Sequence, residues 1–236
     1  MRQAFSRIIC WLGGHDLAVL GSLLIVTGGT WAFLEIADEV QEGDIQHLDE
    51  NILRAFRNPD NPAQPIGPPW VAEMARDVTA LGGYALLGLL VGAVAGFLFL
   101  EGKHHAMWLL LAAVFSGYLV MMALKTLFDR PRPDIVPHLS YVLTASFPSG
   151  HSMMSAVVFL TLGALLARMA LTLQLKFYFL SVAVFLSFIV GVTRVYLGVH
   201  YPSDVLAGWT GGLVWSSLCS LVARFLQRRG QIEKGL

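Results

Sequence analysis

Six stretches of the chain contain no Asp, Glu, Lys or Arg: Leu17 to Leu34, Val78 to Leu100, Ala106 to Leu124, Ser152 to Ala167, Phe177 to Thr193 and Val205 to Ala223, with lengths of 18, 23, 19, 16, 17 and 19 residues. A helix that crosses a bilayer needs about 20 mainly apolar residues, with a working range of about 17 to 25. Five runs fall in that window, and the fourth joins them once its polar flanks are counted. The expected fold is all-α: a polytopic membrane protein with six transmembrane helices in one bundle. Composition agrees, because only 14% of the residues are charged, where an ordinary globular domain carries about a quarter. Sixteen basic residues balance sixteen acidic ones, so no basic surface is left over for nucleic acid. The chain is read as one membrane-embedded domain over residues 1–236; its oligomeric state is left open.

Arg2 and Arg7 precede the first run as in a signal peptide, but 18 apolar residues exceed the usual apolar core of one, and no A-x-A pattern follows. An uncleaved helix is expected. Cys10 and Cys219 show neither C-x-x-C spacing nor a His at a zinc interval, and are read as buried apolar side chains. With the N-terminus in the cytoplasm, that side receives nine basic residues: Arg2, Arg7, Lys103, Arg168, Lys176, Arg224, Arg228, Arg229 and Lys234. The other side receives seven, of which Lys125, Arg130, Arg132 and Arg194 lie in segments argued below to be chemical. Nine against three then places both termini inside.

The first outer loop, Glu35 to Asp77, is the longest polar segment. Ile52, Leu53 and Phe56 share one helical face there, which predicts an interfacial helical segment between helices 1 and 2. The run Asn58 to Trp70 is rich in proline, breaks helix and ends on a Trp suited to headgroup depth; a lid over the site and an inert connector are both open readings. Gly88, Gly92 and Gly96, and again Gly208 and Gly212, repeat at intervals of four, which predicts close approach of backbones within the monomer.

Ionisable residues at the ends of apolar helices are costly, and so point to function. They fall in three places, all on the outer side: K-T-L-F-D-R-P-R-P at Lys125 to Pro133, F-P-S-G-H-S at Phe147 to Ser152, and T-R-V-Y-L-G-V-H-Y-P-S-D at Thr193 to Asp204. Each alone has a plain structural explanation, as snorkelling cations, a turn or a helix cap. Together they describe a phosphate site. Lys125, Arg132 and Arg194 supply permanent cations, and Arg presents forks that suit phosphoryl oxygens. Ser149 can cap the fourth helix, whose free N–H groups then face an anion, and Gly150 removes an obstructing Cβ. His200 and Asp204 are four apart around a helix start, so the carboxylate can hold one ring nitrogen and leave the other as a nucleophile or base. His151 is a second imidazole, able to protonate a leaving oxygen.

K-x6-R-P, P-S-G-H and R-x5-H-x3-D, in this order within about residues 78 to 225, resemble the type 2 phosphatidic acid phosphatase superfamily. Thr193 stands where that family usually has Ser and keeps the hydroxyl. Arg130-Pro131 offers a second R-P, but only Arg132 keeps the six-residue gap from Lys125, so the family role is carried to Arg132 alone. The resemblance implies a metal-independent lipid phosphatase without a cofactor. His200 would attack phosphorus to form a phosphohistidine, Asp204 would orient it and His151 would protonate the leaving group. Lys125, Arg132, Arg194, Ser149 and Gly150 would hold the phosphoryl oxygens. It implies a phosphorylated lipid as partner, and the basic-residue count puts the active site on the outer face, expected to be the periplasmic face of a bacterial inner membrane. Undecaprenyl diphosphate, phosphatidic acid, phosphatidylglycerophosphate and lipid A all fit, and hydrolase is not separated from phosphotransferase.

Three rivals are weaker. A non-enzymatic carrier of a phosphate-bearing lipid or anion would use the same cations but gives no reason for a His-Asp pair beside a second His. A metal hydrolase using His151, His200 and Asp204 would place its metal among three repelling cations. A vanadate-dependent haloperoxidase shares the anion site, but is expected to be soluble.

Overall fold

A computed structural model describes residues 17–140 and 144–228. The sequence expectations for Arg2, Arg7, Cys10, Arg229 and Lys234 lie outside that range. Five of the six apolar runs lie wholly within a helix, as expected where no water can satisfy backbone N–H and C=O groups. In chain order the elements are α1 (Leu17–Glu42), α2 (Gln46–Ala55), β1 (Arg57–Asn58), β2 (Asn61–Pro65), α3 (Pro69–Ala80), α4 (Tyr84–Leu100), α5 (His104–Phe128), α6 (Gly150–Met169), α7 (Leu173–Tyr196) and α8 (Pro202–Arg228).

Among the described residues, five helices, α1, α5, α6, α7 and α8, are long and apolar enough to cross a membrane alone. The sixth crossing differs from expectation. The run from Val78 to Leu100 is not one helix: α3 and α4 meet at a 43° bend. The break falls on Gly82 and Gly83, a pair that readily kinks a helix. A Cβ on Gly82 would lie 2.5 Å from Val190 Cγ1 and 3.2 Å from the carbonyl oxygen of His151. The bend thus lets the chain pass tightly against α6 and α7, and it sets Tyr84 at the start of α4.

Helix α6 runs through the middle, packed on α5, α7 and α8 and more thinly on α4, while α1 lies along α8 and α3 along α7. Its central place suits its sequence: Gly150, Ser152, Ser155, Ala156 and Gly163 are small and buried, so neighbours approach closely. The main apolar core joins Leu87, Leu98, Leu110, Met121, Met153, Val158 and Phe159. A second cluster, Phe33, Phe128 and Phe147, stacks edge to face between α1, α5 and the segment before α6.

The expected helix in the first loop is α2, but its apolar face meets protein. Leu53 is fully buried against Val195, Tyr201 and Val205, with Ile52 and Phe56 alongside. The proline-rich run folds into the short β1–β2 pair and then opens α3, where Pro69 occupies the first turn and Trp70 is exposed. Proline tolerates that position because the N–H it lacks has no intrahelical partner there. Cys219 is a free, half-buried thiol.

The two glycine series part company. In α8, a Cβ on Gly212 would lie 2.6 Å from both Ala156 Cβ and the Met153 carbonyl oxygen, so this seam is as close as expected. In α4, nothing lies within 4 Å of a Cβ at Gly88, Gly92 or Gly96. Among the described residues nothing packs on that spacing, and the expectation of close approach fails there.

Candidate active site

The three motifs converge at one end of the bundle because α5 ends, α6 begins and the α7–α8 turn closes there. At the end of α5, Asp129 takes a left-handed conformation (φ 40°) and turns the chain, so that Arg130 and Arg132 follow Lys125 into the site. Ser149 caps α6 as expected: its Oγ accepts from Ser152 N, and from Ser152 Oγ at 3.0 Å. The backbone N–H groups of Gly150 and His151 then belong to the first turn, which has no intrahelical acceptors. Ser149 N donates to the Asp204 carbonyl oxygen at 2.9 Å, which ties the second motif to the third.

His200 is 1% exposed and Asp204 fully buried. Pro202 opens α8, and Asp204, in its first turn, reaches back so that Oδ2 accepts from Tyr201 N at 2.9 Å. This is the reciprocal half of a capping box, and it fixes the carboxylate beside the imidazole. His200 Nδ1 lies 3.5 Å from Asp204 Oδ2. The hydroxyl of Ser146 sits between them, 3.3 Å from Nδ1, and donates to the same Oδ2. On the far side of the ring, Arg132 Nη1 lies 3.1 Å from Nε2. A guanidinium can only donate, so Nε2 is the acceptor and the ring proton resides on Nδ1. Burial, and then the charges of Arg132, Arg194, Lys125 and His151, push the His200 pKa well below its ordinary value. His200 is thus a neutral imidazole whose Nε2 lone pair faces the cations.

The cations differ in how they are compensated. Lys125 is buried and donates Nζ to the Ala145 carbonyl oxygen at 2.5 Å. Arg132 donates Nε to the Thr144 carbonyl oxygen at 2.7 Å and Nη1 to that of Val199 at 2.6 Å. Arg194, 2% exposed, donates Nη1 to Thr79 Oγ1 at 3.1 Å, and its Nε is a buried donor with no acceptor among the described residues. Among the described residues, none of the three lies within ion-pair distance of a carboxylate. Arg130, by contrast, is ion-paired to both Asp204 and Asp49. Burial opposes its charge, yet those carboxylates raise its pKa.

His151 stands on the first turn of α6, its ring 6.2 Å from that of Tyr84. Thr193 is buried and turns its hydroxyl to the Val190 carbonyl oxygen of its own helix, at 2.6 Å. The role expected for Gly150 is refined: a Cβ there would lie 2.8 Å from the Tyr84 hydroxyl and 3.4 Å from Lys125 Cε. All eight residues expected at the site, Lys125, Arg132, Ser149, Gly150, His151, Arg194, His200 and Asp204, are brought to this end of the bundle. Sequence reasoning missed Ser146, the carbonyl groups of Thr144 and Ala145, Thr79, Tyr84, and the pair Asp49 and Arg130. Only Arg130 carried a signal, its charge next to proline.

Chemically, a buried imidazole whose Nε2 faces three cations without carboxylate partners among the described residues has the groups needed to receive a tetrahedral anion and attack it. Residues 106–228 match the model of the PAP2 superfamily. Phosphatidylglycerophosphatase B of Bacillus subtilis is 33% identical over 184 residues, which span 77% of this chain and 86% of that protein. A lipid A 1-phosphatase of Rhizobium johnstonii is 37% identical over 125 residues, about half of each chain (49% and 46%). The crystal structure of a transmembrane PAP2-type phosphatidylglycerolphosphate phosphatase from Bacillus subtilis superposes with a TM-score of 0.77 at 29% identity, covering 87% of this chain and 98% of that one. LpxE of Aquifex aeolicus gives 0.56 at 25% identity, covering 73% and 94%. With its motifs gathered at one end of the bundle and its fold shared with these enzymes, the chain belongs to the PAP2 superfamily and is an integral membrane lipid phosphatase.

Proposed function

We propose that the protein removes the phosphate of a phosphomonoester phospholipid of the phosphatidylglycerophosphate type, without a metal, through a phosphohistidine on His200. The observation that carries the chemistry is the contact between a lone pair on Nε2 and an arginine that belongs to a trio lacking counter-ions. In the reaction, Nε2 bonds to phosphorus as the bond from phosphorus to the lipid oxygen breaks, and His151 gives that oxygen a proton. Water, deprotonated by His151, then attacks the phosphohistidine and releases inorganic phosphate. Lys125, Arg132, Arg194, Ser149 and the Gly150 backbone hold the phosphoryl oxygens, and Asp204 keeps the proton of His200 on Nδ1. Phosphoryl transfer needs mainly positioning and charge stabilisation, and the three cations supply both.

The substrate class rests on the relatives, since phosphatidylglycerophosphatase B is similar along most of both chains. We read residues 1–236 as one domain of a bacterial inner membrane protein, with both termini cytoplasmic and the site periplasmic, from the nine-to-three basic count. The decisive experiment gives purified protein, with EDTA present, phosphatidylglycerophosphate, phosphatidic acid, undecaprenyl diphosphate and lipid A, and measures released phosphate. Preference for phosphatidylglycerophosphate is expected. Preference for the diphosphate or lipid A overturns the substrate, and activity that needs added zinc or magnesium overturns the metal-free chemistry.

A further inference from the structure

Arg130 lies outside the proposed phosphate cage, yet it is buried and makes four hydrogen bonds, all to side chains. Its Nη1 donates to Asp204 Oδ1 and to Ser203 Oγ, both at 2.8 Å. Its Nη2 donates to Asp49 Oδ2 and to Gln46 Oε1, both at 2.9 Å. The guanidinium carbon sits 4.3 Å from the centre of the Tyr201 ring. Asp49, 1% exposed, accepts Ser203 N on its other oxygen at 2.9 Å. Two buried carboxylates from different helices therefore share one guanidinium, and one of them is the carboxylate beside His200.

This sharing has an electrostatic consequence. As Nε2 bonds to phosphorus, positive charge develops on the imidazole, and a facing carboxylate stabilises it. A guanidinium committed to Asp204 alone would cancel most of that carboxylate's field. Asp49 adds a second negative charge whose field offsets part of the guanidinium's, so Asp204 is held in place while its own field is still felt at His200.

We propose that Asp49 and Arg130 are positioning residues for phosphoryl transfer: Arg130 fixes the carboxylate of Asp204, and Asp49, from helix α2, keeps that carboxylate's charge available to His200. The proposal rests on His200 being the nucleophile. It also gives α2 a function, since the helix delivers Asp49 to the start of α8. The competing view is that the cluster is only a brace, with Asp49 capping α8 and an ion pair pinning α2 to the bundle.

Vanadate and phosphate separate the two views. Vanadate takes a fifth ligand from a nucleophile and so reports the poise of His200, whereas phosphate reports the cations alone. Full-length protein in nanodiscs, as wild type, Asp49→Asn and Arg130→Lys, would be titrated calorimetrically with orthovanadate and with inorganic phosphate, and melted. Lysine keeps the charge but cannot span two carboxylates. Each variant is expected to lose about tenfold in vanadate affinity, with phosphate affinity nearly unchanged and a melting temperature close to wild type. Equal weakening of both anions with a falling melting temperature, or failure of both variants to fold, would overturn the proposal in favour of the brace. Unchanged vanadate affinity in folded variants would overturn it as well. Wild-type protein that binds vanadate no tighter than phosphate would remove the nucleophile, and this proposal with it.

Discussion

Replacing Gly208 by alanine adds one methyl group at the seam on which the site depends. A Cβ there would lie 2.8 Å from the Ser149 carbonyl oxygen, 2.9 Å from Ser152 Cβ and 3.1 Å from Met153 N. Two of these are backbone atoms of the first turn of α6 and cannot swing aside. Ordinary van der Waals contact begins at 3.4 Å, so α8 must draw back from α6 by about half an ångström. Overpacking of this kind costs about 1–3 kcal/mol. The two helices carry opposite halves of the chemistry, Asp204 on one, with His200 just ahead of it, and Ser149 and His151 on the other. A misplacement of about 1 Å can cost about 10²-fold, so half of that predicts roughly a tenfold fall in kcat/KM. The control is Gly88→Ala, where nothing lies within 4 Å and helix propensity favours alanine by up to about 1 kcal/mol. Phosphate release from a lipid substrate and thermal melting in the same detergent measure both effects. Wild-type activity and stability in Gly208→Ala would refute the view that this seam sets the catalytic geometry.

The remaining expectations concern the site and its orientation. His200→Ala should leave background turnover and no phosphoenzyme, and Asp204→Asn should lower kcat with little change in substrate affinity; a defect in affinity alone would favour a carrier. His151→Gln should lower kcat/KM by about 10²-fold or more for a phosphomonoester and much less for a prenyl diphosphate, whose leaving group needs no proton; equal losses would make His151 a binding residue. Because burial and the surrounding cations hold the His200 pKa well below its ordinary value, the nucleophile stays neutral as pH falls through 6.5. Hence kcat/KM, corrected for ionisation of the substrate, should show no acid limb there, and a fall centred near that pH would contradict the electrostatics. Cysteines placed at Gln64 and His138, in a background lacking Cys10 and Cys219, should react with an impermeant maleimide on intact cells while one at Gln227 does not; the reverse pattern would invert the topology.

Much of this architecture was legible because its information is local. Charge-free runs mark spans whatever their packing, and the three motifs sit at helix ends, where the sequence spells out the cap at Ser149. What escaped was non-local or carried by backbone. Asp49 meets Arg130 across 81 residues and Ser203 across 154, and no spacing rule links such positions. The carbonyl groups of Thr144 and Ala145 hold Arg132 and Lys125, yet any residue type offers a carbonyl. The glycine series shows the converse. One pattern of small residues seats α8 on α6 at Gly208 and Gly212 and leaves Gly88, Gly92 and Gly96 unopposed, because spacing defines a face and says nothing of what lies opposite. The break at Gly82 and Gly83 was visible as a glycine pair, but hydropathy ran through it unchanged.

The contrast between Arg130 and its neighbours explains how one buried site holds four cations. A buried charge is tolerated when paired and is costly when not. Arg130 meets that condition within the protein through Asp49 and Asp204. Among the described residues, Lys125, Arg132 and Arg194 meet it only with neutral acceptors, and Arg194 Nε has none. In the proposed reaction the missing negative charge arrives with the phosphate, so binding and compensation are one event. Arg132 connects that event to the chemistry. Its Nη1 engages Nε2 of His200 in the free enzyme, and a phosphoryl oxygen is a stronger acceptor than an imidazole nitrogen because it is charged. As the anion settles, it draws that donor to itself, and the lone pair that attacks phosphorus is released at the moment phosphorus is in place.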